Sequence, residues 1–433
     1  MRFLYALAWL AAAPLAVARL AWRGREQPGY RARIAERFGR YGPATPGKRI
    51  WVHAVSVGET RAAVPVIEAL RSRHPGHSIL LTHMTPTGRA TGEELFGDRV
   101  ERAWLPYDLG FATRRFLRHF EPEFGVILET ELWPRLLEEC ARQGVPVVLA
   151  NARLSERSAR RYARFPALAR WALSNLAGIA AQGTEDARRF EELGARPDAL
   201  TVTGNVKFDL EVPADVEARG AMLRSLFGAA RPVWVAGSTR EGEEARLLEA
   251  LAPMPPEVLL VLVPRHPQRF DEVVEIARSK GMEPARRSSG TAVDPGTRVV
   301  VGDTMGEMLA YYAAADVVLM GGSFLEYGSQ NLIEACALGR PVIVGRHTYN
   351  FEQAAEGALA AGAALRVEDA AAAMQAALSL TRDEARRAAM GGRGRAFVAA
   401  HRGAAAKLAA WMEEVIGPRA RAATAASGAT SER

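Results

Sequence analysis

The segment Trp51-Val-His-Ala-Val-Ser-Val-Gly-Glu-Thr60 reads as an apolar strand, a glycine turn, and a carboxylate in the first turn of a helix. That helix carries Ala62, Val66, Ala69 and Leu70 on one face. In an α/β protein this pattern sets Glu59 at the carboxyl edge of a sheet, where ligands bind. A helix N-terminus favours the ionised acid, and Gly58 lets a ligand approach the main chain. Glu59 either caps its helix or serves as a general base. Val126-Ile-Leu-Glu-Thr-Glu-Leu-Trp-Pro134 places Glu129 and Glu131 directly after another apolar strand. These acids either enrich a helix N-terminus, or one of them supports deprotonation of a hydroxyl opposite Glu59. In Asn151-Ala-Arg-Leu-Ser155, Arg153 suits a phosphate or carboxylate clamp, or a structural ion pair. In Gly204-Asn-Val-Lys-Phe-Asp209, Lys207 stands just past a strand end and can steady an anion. A lone lysine there is ordinarily a solvated charge.

A second set of motifs follows. Val235-Ala-Gly-Ser-Thr-Arg-Glu-Gly-Glu-Glu244 offers Ser238 and Thr239 as donors to a phosphate at a helix start, without the spacing of a Walker A loop. Its acids, Glu241, Glu243 and Glu244, fit a plain capped helix equally well. Val263-Pro-Arg-His-Pro267 holds Arg265 and His266 between prolines, so gripping a phosphate costs little entropy. Gly302-Asp-Thr-Met-Gly-Glu307 repeats the pattern, with main-chain donors around Met305 and Gly306. Gln330-Asn-Leu-Ile-Glu334 opens a helix with an acid that could accept from a ribose diol. Any one of these is structural more often than not. Together, at successive strand ends, they favour a nucleotide site.

The elements that position these residues alternate regularly. Strands are expected at Ile50–Val55, Ser78–Thr82, Gly125–Leu128, Val145–Ala150, Gly178–Ala181 and Leu200–Thr203. After a polar break at 210–215 they resume at Pro232–Ala236, Val258–Val263, Arg298–Val301, Asp316–Met320 and Pro341–Val344, with helices between throughout. This is an α/β chain of two Rossmann-like domains facing across a cleft, over 23–212 and 213–416. Residues 417–433 lack periodicity and are expected to be a disordered tail.

The chain has 433 residues, 48% hydrophobic and 24% charged, enough for two full cores. A net charge of +7 suits an anionic partner. Of a phosphorylated small molecule, an anionic membrane surface and nucleic acid, nucleic acid is the weakest candidate, since no zinc-ligand spacing, RNA-binding aromatic signature or dense basic helix is present, and none is expected as a partner. Cys140 and Cys336 form no CxxC pair, and the eight histidines show no ligand spacing, so buried thiols and no metal are expected. Phe3 to Ala18 is an apolar run interrupted by Pro14 and followed by Arg19, Arg23, Arg25, Arg31 and Arg33. A cleaved signal peptide and a short spanning helix both compete here with an uncleaved anchor over 1–22. The anchor, with its arginines left cytoplasmic, fits the positive-inside rule best.

Taken in order, the anchor with RGREQPGYRARIAERFG, HAVSVGET, THMTPTG, WLPYD, LETELWP, NARLSERS, GNVKFD, PRHPQRF, GDTMGEM and NLIEA resemble the 3-deoxy-D-manno-octulosonic acid (Kdo) transferases of lipopolysaccharide assembly. The resemblance runs from the anchor to about residue 400. It implies a GT-B fold and an inverting transfer of Kdo from CMP-Kdo to the lipid A precursor, lipid IVA. It implies Glu59 as general base, with Glu129 and Lys207 as transition-state stabilisers. Arg265, His266, Met305, Gly306, Glu307, Asn331, Leu332, Ile333 and Glu334 become the CMP-binding set, with Ser238 and Thr239 as further donor contacts. No cofactor or metal is called for. The partners are CMP-Kdo, the lipid A precursor and an anionic inner-membrane surface, with the catalytic domains on the cytoplasmic side. The chain departs from the family pattern at Arg240, where His is usual, and at Gln330, which also replaces His. Two other readings stand beside this one: a different GT-B enzyme acting on a UDP-sugar, and a membrane-anchored binding protein without turnover.

Overall fold

Runs of β-branched and other aliphatic residues, bounded by glycine and polar turns, form fully buried parallel strands because helices cover both faces of the sheet. A computed structural model describes residues 2–43 and 46–428, with side chains placed to residue 417. The first sheet contains β1 (Arg49–His53), β2 (Ser78–His83), β3 (Glu101–Trp104), β4 (Pro122–Leu128), β5 (Val147–Ala152), β6 (Gly178–Ala181) and β7 (Leu200–Val202). The second contains β8 (Val233–Thr239), β9 (Leu259–Pro264), β10 (Ala285–Arg286), β11 (Val299–Val301), β12 (Val317–Met320), β13 (Val342–Val344) and β14 (Ala364–Arg366).

Both sheets are parallel, in the orders β3-β2-β1-β4-β5-β6-β7 and β10-β11-β9-β8-β12-β13-β14. In each, the chain starts in the middle, winds to one edge, then crosses to the other side. The crossover point lies between β1 and β4 in the first sheet and between β8 and β12 in the second. Loops leaving adjacent strands there diverge, which opens a crevice at their carboxyl ends. β1 and β4 stay close because position 125 is glycine: a Cβ there would lie 2.5 Å from the Trp51 ring.

The compact units are Met1–Asp209 with Gly403–Arg433, and Leu210–Arg402. The second domain was expected to extend to residue 416, but the chain leaves it at Gly403. The cause is a cap and a core. The Asp209 carboxylate accepts from the main-chain N–H of Gly403 and of Ala405 (2.5 and 2.6 Å), seating the start of helix Ala404–Gly428. Ala404, Leu408, Met412 and Ile416 then bury against Ile50, Val66 and Ile67. The expected disordered tail overlaps this helix as far as Gly428, and 429–433 lie outside the described residues.

Helix Arg2–Arg23 is long and apolar enough to cross a membrane. Phe3, Leu4, Leu7, Leu10, Leu15 and Trp22 are exposed along it. Its other side meets the first unit, where Trp9 packs on Tyr107 and Trp133 and Arg2 pairs with Glu138 at 2.8 Å.

His53 and His83 sit with no exposure at the ends of β1 and β2. Burial and the His83 ring drive the His53 pKa down to about 3, and burial drives that of His83 to about 4. Both rings are therefore neutral when folded, whereas the unfolded chain protonates each near pH 6.5. Their stabilising contribution is complete above that pH and is lost progressively as pH falls toward 4. Urea midpoints measured from pH 7.5 down to 4.5 should fall steeply below pH 6.5 in the wild type and less so in His53→Gln.

Candidate active site

Glu59 and Glu129 follow β1 and β4, the two strands that flank the first crossover, and His53 pairs with Ile127 across them. Glu59 lies in the first turn of helix Val57–Arg73. Its Oε2 accepts from the Val55 N–H at 2.7 Å and its Oε1 from the Ser56 hydroxyl at 3.0 Å. It therefore ties down the turn that leads into its helix, and it does so while only half-buried. Burial and the nearby Glu129 carboxylate raise its pKa to about 8.

Glu129 adopts the left-handed conformation (φ 61°), which turns its side chain back toward the strand ends. Its Oε1 accepts from Lys207 Nζ at 2.6 Å, with both side chains largely covered. Burial alone would raise the Glu129 carboxyl, but Lys207 and Arg153 outweigh it and hold the group below its usual range. The two carboxylates thus titrate apart, Glu129 ionised and Glu59 retaining its proton near neutrality. Glu131, two residues on, is pushed up by burial and by Glu129.

Lys207 is set by its loop. Its N–H donates to Asn205 Oδ1 at 3.0 Å, and the preceding Val206 N–H donates to Asn151 Oδ1 at 3.1 Å. Asn151 is fully buried at the end of β5, also left-handed (φ 49°), and its carbonyl accepts from Gln182 at 3.0 Å. Attention to Arg153 alone in that motif overlooked this residue, although asparagine at a strand end is the signal for a left-handed turn.

In the second unit, Ser238, next to last in β8, lies in the left-handed region (φ 56°). The Thr239 hydroxyl is committed: it is fully buried and donates to Glu244 Oε1 at 2.7 Å. Glu244 also pairs with Arg269 at 2.6 Å, and the Glu243 carboxylate accepts from the N–H groups of Arg240, Gly322 and Phe324. These acids organise the loops internally. What remains at the edge is cationic. Arg265 and His266 are exposed after β9, and Arg240 Nη1 lies 3.0 Å from His266 Nε2 while stacking on Tyr327 at 4.7 Å. Partial burial together with Arg240, Arg265 and Arg269 lowers the His266 pKa.

Met305 is 70% exposed beside Gly306, and Glu307 is held by Arg287 at 3.1 Å. Just before helix Ile333–Ala337, the Asn331 Oδ1 accepts from the Ile333 N–H at 3.2 Å, and its Nδ2 donates to Glu334 at 3.0 Å. Leu332 and Ile333 are fully buried, so only their main chain is available to a ligand. Each unit thus collects its own group of chemistry-bearing residues at the carboxyl ends of its strands.

A chain of two Rossmann-like units with carboxylates beside one sheet and cations beside the other has the form of a GT-B glycosyltransferase. Solved structures agree on the fold. Anabaena HepE in complex with UDP aligns with a TM-score of 0.57 at 14% identity, over 85% of this chain and 99% of that one. The UDP-GlcNAc 2-epimerase of Neisseria meningitidis gives the same TM-score at 16% identity and the same coverage.

The sequence comparisons are more specific. A family model described as 3-deoxy-D-manno-octulosonic-acid transferase (kdotransferase) matches residues 32–210. The 3-deoxy-D-manno-octulosonic acid transferase of Bordetella pertussis is 46% identical over 96% of this chain and 100% of its own length. That of Haemophilus influenzae is 37% identical over 94% and 97%. This chain belongs to the 3-deoxy-D-manno-octulosonic acid transferase family, and it is an enzyme of the glycosyltransferase class.

Glu129→Gln removes the like charge that helps raise Glu59 and leaves Lys207 without that carboxylate. The Glu59 pKa should therefore drop from about 8 toward the usual carboxyl range. Carboxyl-carbon NMR titration of the two proteins would measure it.

Proposed function

We propose that this protein transfers Kdo from CMP-Kdo to the lipid A precursor lipid IVA, with inversion at the anomeric carbon. The observation that carries the proposal is the Glu59 carboxyl, lifted to about 8 beside an ionised Glu129–Lys207 pair, in a chain nearly half identical to a Kdo transferase over its full length. A base works best when its pKa is close to the working pH, and Glu59 meets that condition where an ordinary carboxylate would not.

In this reading the ionised form of Glu59, which fills as pH rises toward about 8, takes the proton of the acceptor hydroxyl as its oxygen bonds to the anomeric carbon. The bond from that carbon to the phosphate oxygen breaks on the opposite face, and CMP leaves with the electron pair. Lys207 and Glu129 present fixed, opposite charges beside the base, the preorganised polarity that stabilises charge developing in a transition state. Arg265 and His266, with Arg240 beside them, receive the departing phosphate. The family's usual histidine at position 240 is replaced here by a permanent cation, which serves the same charge. Glu334 accepts from the ribose, Glu307 stays with its arginine, and main-chain groups of Met305, Gly306, Leu332 and Ile333 complete the nucleotide contacts. The reading assigns no cofactor or metal.

Helix Arg2–Arg23 serves as the membrane anchor, with Arg19, Arg23, Arg25, Arg31 and Arg33 facing anionic headgroups at the cytoplasmic leaflet of the inner membrane. A UDP-sugar enzyme shares the fold but not the sequence identity.

The test is full-length protein in detergent with CMP-Kdo and lipid IVA, with the product mass read directly. Addition of one or more Kdo units, reduced by about a thousandfold or more in Glu59→Gln, supports the reaction and the base. Near-normal turnover in Glu59→Gln would remove Glu59 from that role. Arg265→Ala should raise the donor KM by about tenfold or more and leave the acceptor KM unchanged. An equal loss for both substrates would overturn its assignment to the donor phosphate.

A further inference from the structure

Downstream of Glu129 and Glu131 the chain enters a wall of a cavity of about 210 Å3 in the first unit. Leu132 and Pro134 form that wall, and Pro134 begins helix Pro134–Arg142. The opposite side comes from helix Pro166–Leu173 and the residue before it, with Phe165, Leu168 and Ala169 turned inward. Tyr5 of the apolar N-terminal helix supplies a third side.

Three features set this cavity apart from an ordinary packing defect. First, it is lined mainly by hydrocarbon and aromatic groups, yet Phe165 remains 60% exposed at its edge. Second, apart from the Tyr5 hydroxyl, which Asp108 holds, its polar groups are those of Tyr162 and Arg161, beside the loop of Glu129 and Glu131. The Tyr162 hydroxyl donates to the Thr130 carbonyl at 3.3 Å, and the Arg161 guanidinium stands exposed beside it. Third, one side belongs to the helix that is long and apolar enough to enter a membrane. Apolar walls with a cation at one end match an amphiphile that has an anionic head and a hydrocarbon chain.

We propose that this cavity is a hydrocarbon subsite that seats one acyl chain of the acceptor lipid while the acceptor hydroxyl lies at Glu59. The choice of acceptor rests on the Kdo-transfer reading above. The acceptor is a better occupant than a bilayer lipid because the wall is the same loop that carries Glu129 and Glu131. A chain seated there is tied to a headgroup held at that loop, whereas a bilayer lipid has no group to be held by it. Arg161 then meets an anionic group of the acceptor head. The subsite gives the enzyme a measure of its acceptor that the sugar alone does not provide, since each buried methylene strengthens binding about fourfold.

Two experiments on the full-length protein decide this. The first uses an acceptor lipid with a diazirine at the end of one acyl chain, photolysed on the protein in detergent, with adducts mapped by peptide mass spectrometry. Adducts within 132–134 or 165–172, suppressed by excess unlabelled acceptor, are expected. Adducts confined to the exposed face of the N-terminal helix, or insensitive to competition, would place the chain in the detergent phase and overturn the proposal.

The second fills the cavity with Ala169→Phe. The KM for the acylated acceptor should rise about tenfold, its dependence on acyl length should flatten, and kcat should stay within about twofold. A folded variant with unchanged KM and unchanged length dependence would also overturn the proposal. Should Ala169→Phe fail to fold, the wild-type adduct map still decides. If the wild type transfers no Kdo, the Kdo-transfer reading fails, while competed adducts in the cavity would still establish the subsite.

Discussion

Two carboxylates at neighbouring strand ends cannot both ionise cheaply once they leave bulk water, and one lysine settles which of them does. Lys207 sits 2.6 Å from Glu129 and fixes the charge there. Glu59, whose donors are the neutral Val55 N–H and Ser56 hydroxyl, lies beside that charge and keeps its proton to about pH 8. Separated pKa values on paired acids are the means by which one site holds both a fixed charge and a proton acceptor. The arrangement reaches well beyond the three residues. Glu129 faces Glu59 only because β4 lies against β1, and Lys207 arrives only because Asn151 at the end of β5 holds the turn that carries it. Left-handed main chain at Glu129 and Asn151, both non-glycine, is the conformational strain that this convergence requires.

The second unit resolves its charges in the opposite sense. Its acids go inward: Glu243 gathers three main-chain N–H groups from two loops, and Glu244 binds Arg269 and Thr239. A buried carboxylate spends its lone pairs on the loop scaffold, so the loops around Gly322 and Arg240 keep their shape. The edge is left to Arg240, Arg265 and His266, where the arginines favour the neutral imidazole and themselves attract an anion.

Much of this was legible from the residues. The central strands follow from aliphatic runs, and both crossovers fall where the motif-bearing strands are. What escaped was physically different in kind. β3, β10 and β14 are edge strands of four, two and three residues, polar or alanine-rich, and edge strands are short for reasons of pairing that leave no hydrophobic run to read. The return of the last helix to the first unit was also hidden. Its apolar stripe says that it packs, but only the Asp209 carboxylate, which accepts from Gly403 and Ala405, says against what. The role of the paired acids after β8 was left open between a cap and a site, and their contacts are internal. Asn151 carries no charge, so in that motif Arg153, two residues on, is the more conspicuous side chain.

Asp108 shows how far the loop of Glu129 and Glu131 is tied to the rest of its unit. One carboxylate oxygen accepts from the Tyr5 hydroxyl at 2.6 Å and from the Arg135 N–H at 2.9 Å, and the other accepts from the Leu136 N–H at 2.7 Å. Asp108 therefore caps the helix that begins at Pro134, directly after the loop of Glu129 and Glu131, and the same group holds the apolar N-terminal helix. A buried acid satisfied by three donors is rigid, because losing any one leaves charge uncompensated. Tilting the N-terminal helix would break the Tyr5 bond first. The carboxylate would then keep its two main-chain bonds at the helix start, so the loop of Glu129 and Glu131 would hold its place while the N-terminal helix moved. The hierarchy follows from the donors: two N–H groups fixed by a helix terminus against one hydroxyl on a rotatable side chain. The loop is thus anchored more firmly than the apolar N-terminal helix.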